Sequence, residues 1–148
     1  MKTLRFETLI QAPRETVWRT MLDQETYRIW TAEFTAGSYY EGSWEEGARI
    51  RFLSPDGGGM VAVIDENRPF EHISIRHLGE IRGGVDDTES GAVRSWAGEA
   101  FERYTLHEAD GKTRLEVTCD VTPAYESMMA DMWPRALQRL KTLVETGS

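Results

Sequence analysis

Near its end the chain changes period once, and that change restricts the fold more than any other feature. Up to Val121 the pattern alternates. Leu115, Val117, Cys119 and Val121 share one face, while Arg114, Glu116, Thr118 and Asp120 share the other. This is the two-residue period of a half-buried strand. From about Pro123 the spacing becomes helical. Met129, Met132, Trp133, Ala136, Leu137, Leu140, Leu143 and Val144 form a broad apolar stripe, with Arg135, Gln138, Arg139 and Lys141 on the polar side. A long amphipathic helix that follows strands must bury its stripe against their sheet. Pro134 falls inside this helix. A proline there removes one backbone bond and clashes one turn back, at a cost of ~3 kcal/mol or more. Either a fresh helix starts at Trp133-Pro134, or one helix kinks there. Both arrangements separate a Met-rich front half, suited to a lid, from a Leu-rich back half that anchors on the core.

The upstream chain supplies the sheet. Thr3 to Gln11 alternates, with Leu4, Phe6 and Ile10 on one face. Pro13 then suits the first turn of a helix carrying Val17, Trp18, Met21 and Leu22. Asp23 is placed to cap a second short helix bearing Tyr27 and Trp30. From Gly37 the character is β. Ile50 and Phe52 oppose Arg49 and Arg51. The run "SPDGGGM" (Ser54 to Met60) reads as a hairpin turn, because it lacks the lysine and helix of a phosphate-binding loop. Met60 to Asp65 and Phe70 to Gly79 read as strands, the second placing Ile73, Ile75 and His77 on one face. The polar stretch "EIRGGVDDTESGAV" reads as a loop or distorted hairpin end. Arg94 to His107 reads as a long strand, and "EADGK" turns it into the last one.

The expected fold is therefore α+β: a strand, two short helices, a curved antiparallel sheet totalling about six or seven strands, and a long C-terminal helix. The 148 residues form a single domain, 1–148. A curved sheet closed by one helix leaves a natural cavity between them.

Composition narrows the function. The net charge is −8 and no basic run occurs, which argues against nucleic acid or anionic lipid as a partner. No segment approaches the ~20 apolar residues of a membrane span. Cys119, the only cysteine, has no internal partner. A reducing, cytoplasmic setting is the easier fit, and core packing is its expected role.

Three stretches carry a family resemblance. "QAPRETVWRTMLDQETYRIW" (Gln11 to Trp30) has an A-P-x-x-x-V-W-x-x-x-x-D opening. "GSWEEG" (Gly42 to Gly47) has a G-x-W-x-x-G turn before a strand. "WPRALQRLKTL" (Trp133 to Leu143) has a closing W-x-x-x-L-x-x-L helix. In this order they resemble the START-type, Bet v 1-like (SRPBCC) superfamily with its helix-grip fold. The most similar branch is that of homologues of the heat shock protein 90 ATPase activator, C-terminal domain. The resemblance covers the whole chain and implies a cavity between sheet and helix. It spans carriers, aromatases and cyclases, and co-chaperone domains, so it does not select one activity.

The candidate site follows from the inward faces. Trp30, Phe34, Phe52, Ile75, His77, Trp96, Glu102, Tyr104, Met129, Met132 and Trp133 are expected to line the cavity. Tyr39, Tyr40 and Tyr104 are candidates for oriented polar contacts. His77 and Glu102 are the only catalytic candidates. Glu102 faces inward if the alternation Trp96, Gly98, Ala100, Glu102, Tyr104 holds, and outward, with Phe101 inward, if a β-bulge flips the phase. Pairing His77 with Trp96 and Glu102 with Glu71 would hold the two apart by some 20 Å at ~3.3 Å per residue. Metal-ligand and nucleophile motifs are absent, and no cofactor is expected. The leading expectation is a binding protein for a small apolar ligand, lipid or aromatic and polyketide-like. The alternatives are a co-chaperone-like module that binds a chaperone or other protein partner, and a cyclase or hydrolase.

Overall fold

A computed structural model describes residues 1–148. The elements run β1 (Lys2–Ile10), α1 (Arg14–Leu22), α2 (Gln24–Thr31), β2 (Tyr39–Gly42), β3 (Arg49–Leu53), β4 (Gly59–Arg68), β5 (His72–Arg82), β6 (Val85–Asp87), α3 (Gly91–Arg94), β7 (Ala100–Ala109), β8 (Lys112–Val121) and α4 (Glu126–Thr146). The strands make one eight-stranded sheet in the order β1-β8-β7-β5-β4-β3-β2, with β6 paired to β5. All pairings are antiparallel; most join chain neighbours through short connections, whereas β1-β8 and β5-β7 are brought together over longer stretches of chain. This is the expected α+β helix-grip architecture.

The local signals act as read. Pro13 precedes the first turn of α1. The Asp23 carboxylate accepts from the Glu25 amide at 3.3 Å and caps α2. Between β3 and β4, Gly59 adopts φ +154°, where a Cβ would collide with the Phe52 carbonyl oxygen, so the hairpin needs glycine there.

The helices close over one face of the sheet. The continuous core joins Val17, Met21 and Trp30 of α1 and α2 to Ile73, Ile75, Leu106, Leu115 and Val117 of the sheet. Trp133, Ala136, Leu137 and Leu140 of α4 complete it. Trp133 is the hub: its ring lies 5.8 Å from Phe6, 4.9 Å from Phe34, 6.4 Å from Trp30 and 6.0 Å from Tyr104. Full burial of such side chains is the main favourable term in a domain of this size.

Of the two arrangements open at Pro134 the single helix holds, and one other local expectation is overturned. Pro134 does not start a new helix. One helix, α4, continues through it after a single 3₁₀ turn at Pro123–Tyr125. Pro134 is exposed, so its ring meets solvent on one side, and packing of the flanking Trp133, Ala136 and Leu137 holds the helix across the missing bond. The stretch from Arg94 is also not strand. "EIRGGVDDTESGAV" becomes the end of β5, the short strand β6 and helix α3, and β7 begins only at Ala100. Gly98 sits at φ +78° with its amide on the His77 carbonyl at 2.8 Å. That left-handed residue breaks any strand through Trp96, and alternation alone does not reveal it.

Candidate functional site

Between the sheet and the helices lies a cavity of about 670 Å³. Trp30 and Phe34 approach from α2 and its exit, Phe52 from β3, Trp96 from the α3 turn, and Met129 and Trp133 from α4. The mouth is edged by Met1, Asp56, Tyr125 and Met128. A second hollow, about 430 Å³, runs along the surface beside α4 and is lined by Glu33, Pro134, Arg135, Gln138, Arg139 and Thr142. None of these residues is hydrophobic, and none is buried.

The polar centre of the large cavity is set by strand register. Ile75 of β5 pairs with Glu102 of β7, and His77 pairs with Ala100. Glu102 in turn pairs with Cys119 of β8. Residues on the diagonal of an antiparallel pair share a face. His77 Nε2 therefore lies 3.4 Å from Glu102 Oε1. The expected separation of about 20 Å is wrong. It assumed a register four residues away, because it counted the α3 turn as strand. The inward phase of Glu102 holds. The outward alternative also fails, because Phe101 stacks under the Arg103 guanidinium at 4.1 Å.

Glu102 Oε2 accepts a hydrogen bond from the Tyr104 hydroxyl, two residues along the same face. Burial holds the Tyr104 phenol well above its usual range, and the Glu102 charge adds to this. Tyr27 lines the same space, and its phenol is raised for the same two reasons, burial first. Cys119 is 5% exposed, and burial, then the Glu102 charge, pushes its thiol up to about 12. It is protonated at neutral pH and is no nucleophile. His77 is 8% exposed, and its Nδ1 is buried without a hydrogen-bond partner. A proton on Nε2 gives Glu102 a donor, whereas one on Nδ1 would be orphaned. The Tyr104 phenol, the Glu102 carboxylate and the His77 imidazole form one polar cluster inside an aromatic wall. Chemically it can orient a polar ligand group or hold a proton beside one.

Most of the residues expected at the site line the cavity: Trp30, Phe34, Phe52, His77, Trp96, Glu102, Tyr104, Met129 and Trp133, with Tyr39. Trp96 does so from a turn rather than a strand. Ile75 does not line it, being sealed in the core beneath. Met132 does not either. Met129 and Trp133 share a helical face at i, i+4, and Met132 falls beside it, half-buried. Tyr40 is diverted: its hydroxyl donates to the Leu22 carbonyl at 2.6 Å, beside the Trp44 indole on the same oxygen at 3.1 Å. Those bonds satisfy the end of α1. Sequence reasoning missed Tyr27 and Met60 as wall residues and left Cys119 in the core. The i, i+3 spacing of Tyr27 and Trp30 was the available signal for the first. No group of three or more His, Cys, Asp or Glu side chains is gathered to hold a metal, and no helix is long and apolar enough to cross a membrane.

A family model described as Activator of Hsp90 ATPase homolog 1-like protein matches residues 11–145. A search of curated protein sequences finds no match. Among solved structures, the Aha1 dimer from Colwellia psychrerythraea is 18% identical, with 100% of this chain and 99% of that chain covered and a TM-score of 0.75. DynU16, from the dynemicin biosynthetic locus, is 17% identical with a TM-score of 0.71, covering 100% of this chain and 49% of that one. The chain thus spans about half the length of DynU16. CalU16 from Micromonospora echinospora is 18% identical with a TM-score of 0.63, covering 96% of this chain and 73% of that one. At these identities the likeness is one of fold.

Proposed function

Given that the chain belongs to the Activator of Hsp90 ATPase homolog 1-like family, we propose that it binds a small, largely apolar molecule between its curved sheet and α4. The observation that carries this reading is the aromatic-walled cavity with Glu102, Tyr104 and His77 grouped on its floor. A ligand that loses about 300 Å² of apolar surface there gains roughly 7 kcal/mol. The cost of association takes back several kcal/mol of this, so apolar burial alone gives about millimolar affinity, and the polar group must supply the rest. The polar group orients the ligand, and the half-exposed Tyr125 and Met128 edge its entry. The DynU16 relative, from a biosynthetic locus, supports a small-molecule role. A reducing compartment such as the cytoplasm suits the unpaired Cys119.

The test is a mixed lipid and aromatic library read by NMR. Shift changes should concentrate on Trp96, Tyr104, Met129 and Trp133. Changes confined to the outer face of the sheet, or none at all, would remove the reading.

The family and the Aha1 likeness favour a second reading, a module that docks on a chaperone through its acidic surface. Its charge of −8 predicts binding to a purified chaperone that weakens steeply with salt. No capture at low salt would exclude it. The acid–base enzyme reading regains its geometry, since His77 and Glu102 are neighbours. It requires that Glu102→Gln and His77→Ala each abolish turnover of whatever ligand the library identifies.

A further inference from the structure

The cavity has a one-sided charge. Asp56, Glu80, Glu102 and Asp120 border it, and no lysine or arginine does. Three of these carboxylates have their own work. Asp56 accepts from the Ser54 hydroxyl at 2.5 Å and from the Gly58 amide at 2.8 Å. Glu80 holds Arg82 at 2.7 Å. Asp120 accepts from the Thr3 hydroxyl at 2.5 Å and the Phe101 amide at 3.0 Å. They brace strands and turns.

Glu102 differs. Its side chain is 23% exposed; like Asp56 and Asp120 it has no lysine or arginine partner, but it accepts only one hydrogen bond where each of them accepts two. One oxygen takes the Tyr104 hydroxyl, a neutral donor. The other faces His77 Nε2 at 3.4 Å, too long for a strong charge-assisted bond, which runs ~2.7–2.9 Å. The Met1 terminus also borders the cavity but makes no ion pair with Glu102. A largely buried carboxylate with one hydrogen bond and no lysine or arginine partner is stabilised by any cation that reaches it. Aromatic rings stand close by: Phe52 is 6.2 Å from the His77 ring, and Tyr27 stacks on Phe52 at 6.2 Å. Ring faces attract cations, most strongly out of water.

Resting on the cavity-binding reading, we propose that the ligand is an organic amine: a protonated nitrogen carried on an apolar aromatic or alkyl body. The ammonium sits against Glu102 Oε1, between Tyr27 and Phe52, and the body lies along Trp30, Phe34 and Trp133. The acidity of the rest of the chain draws such a cation toward the mouth.

The test uses a matched set of 2-(2-naphthyl)ethylamine, 2-(2-naphthyl)ethanol and 2-naphthylacetate with the intact chain. Binding is read by calorimetry and by quenching of indole emission. The amine should bind about 10-fold or more tightly than the alcohol, with the carboxylate weakest. Glu102→Gln should collapse the amine-to-alcohol ratio to about one. An alcohol that matches or beats the amine overturns the inference and leaves the cavity reading standing. So does an amine preference that survives in folded Glu102→Gln. If none of the three binds, and the library also finds nothing, the cavity reading and the inference fall together. Should the variant not fold, the ranking in the unmodified chain decides alone.

Discussion

His77 Nε2 and Glu102 Oε1 stand 3.4 Å apart across two adjacent strands, on the diagonal of the pairing Ile75–Glu102 and His77–Ala100. With the Tyr104 hydroxyl on the other carboxylate oxygen, this places an acid that has no lysine or arginine partner between an imidazole, a phenol and aromatic rings. The chemistry of the site depends on what Glu102 meets.

The first consequence is in the phenols. Tyr104 and Tyr27 are held well above the usual phenol range, by burial first and by the Glu102 charge second. In Glu102→Gln both should titrate lower than in the parent, yet still above an exposed tyrosine, because burial remains. Tyrosinate absorbance, compared with Tyr104→Phe and Tyr27→Phe, checks this. Unmoved midpoints would mean that the carboxylate does not face the phenols.

Cys119 tests burial directly. Its thiol is raised from 9.0 to about 12. At pH 8 the thiolate fraction is then about 10³-fold below that of a free cysteine, and disulfide reagents should label the native chain that much more slowly. The same shift makes a stability statement. The folded state holds this proton more tightly, so its contribution is whole below about pH 9 and is lost as pH rises toward about 12. Urea midpoints of Cys119→Ala should fall less steeply over that window. Rapid labelling at neutral pH would show the thiol to be open.

Tyr40 separates structure from site. Its hydroxyl donates to Leu22 at the end of α1. Tyr40→Phe should cost about 1 kcal/mol in urea unfolding and leave amine binding within about 2-fold, whereas a site role predicts a larger loss of affinity. A loss of binding without a loss of stability would return Tyr40 to the site.

Pro134 divides α4. Pro134→Ala restores an amide donor in an exposed helical position and should raise stability, by up to about 3 kcal/mol. It should also slow hydrogen exchange before residue 134. In the parent, exchange at Met128–Trp133 should outpace that at Leu137–Leu143, because Met128 and Tyr125 are exposed and Leu137, Leu140 and Leu143 are buried. Equal rates would remove the division into lid and anchor.

The layer architecture was legible because it rests on local periods. The alternation of Leu115, Val117, Cys119 and Val121 and the stripe from Met129 to Val144 each state which face is buried. Pro13 and Asp23 mark helix starts through bonds made within a few residues. Most of the aromatic wall was legible for the same reason. Trp96 also faces inward, though from the turn after α3 and not through strand alternation.

What the sequence by itself determined is therefore the set of inward faces and the order of elements that carries them. Only the tertiary structure decided who stands beside whom. Register between β5 and β7 depends on where β7 begins, and that depends on Gly98 turning left-handed under the His77 carbonyl, a contact between residues 21 apart in the chain. A four-residue slip leaves every side chain on its proper face and changes every partner. Periodicity reports faces, whereas the His77–Glu102 contact is a matter of register, which long-range hydrogen bonds and packing set.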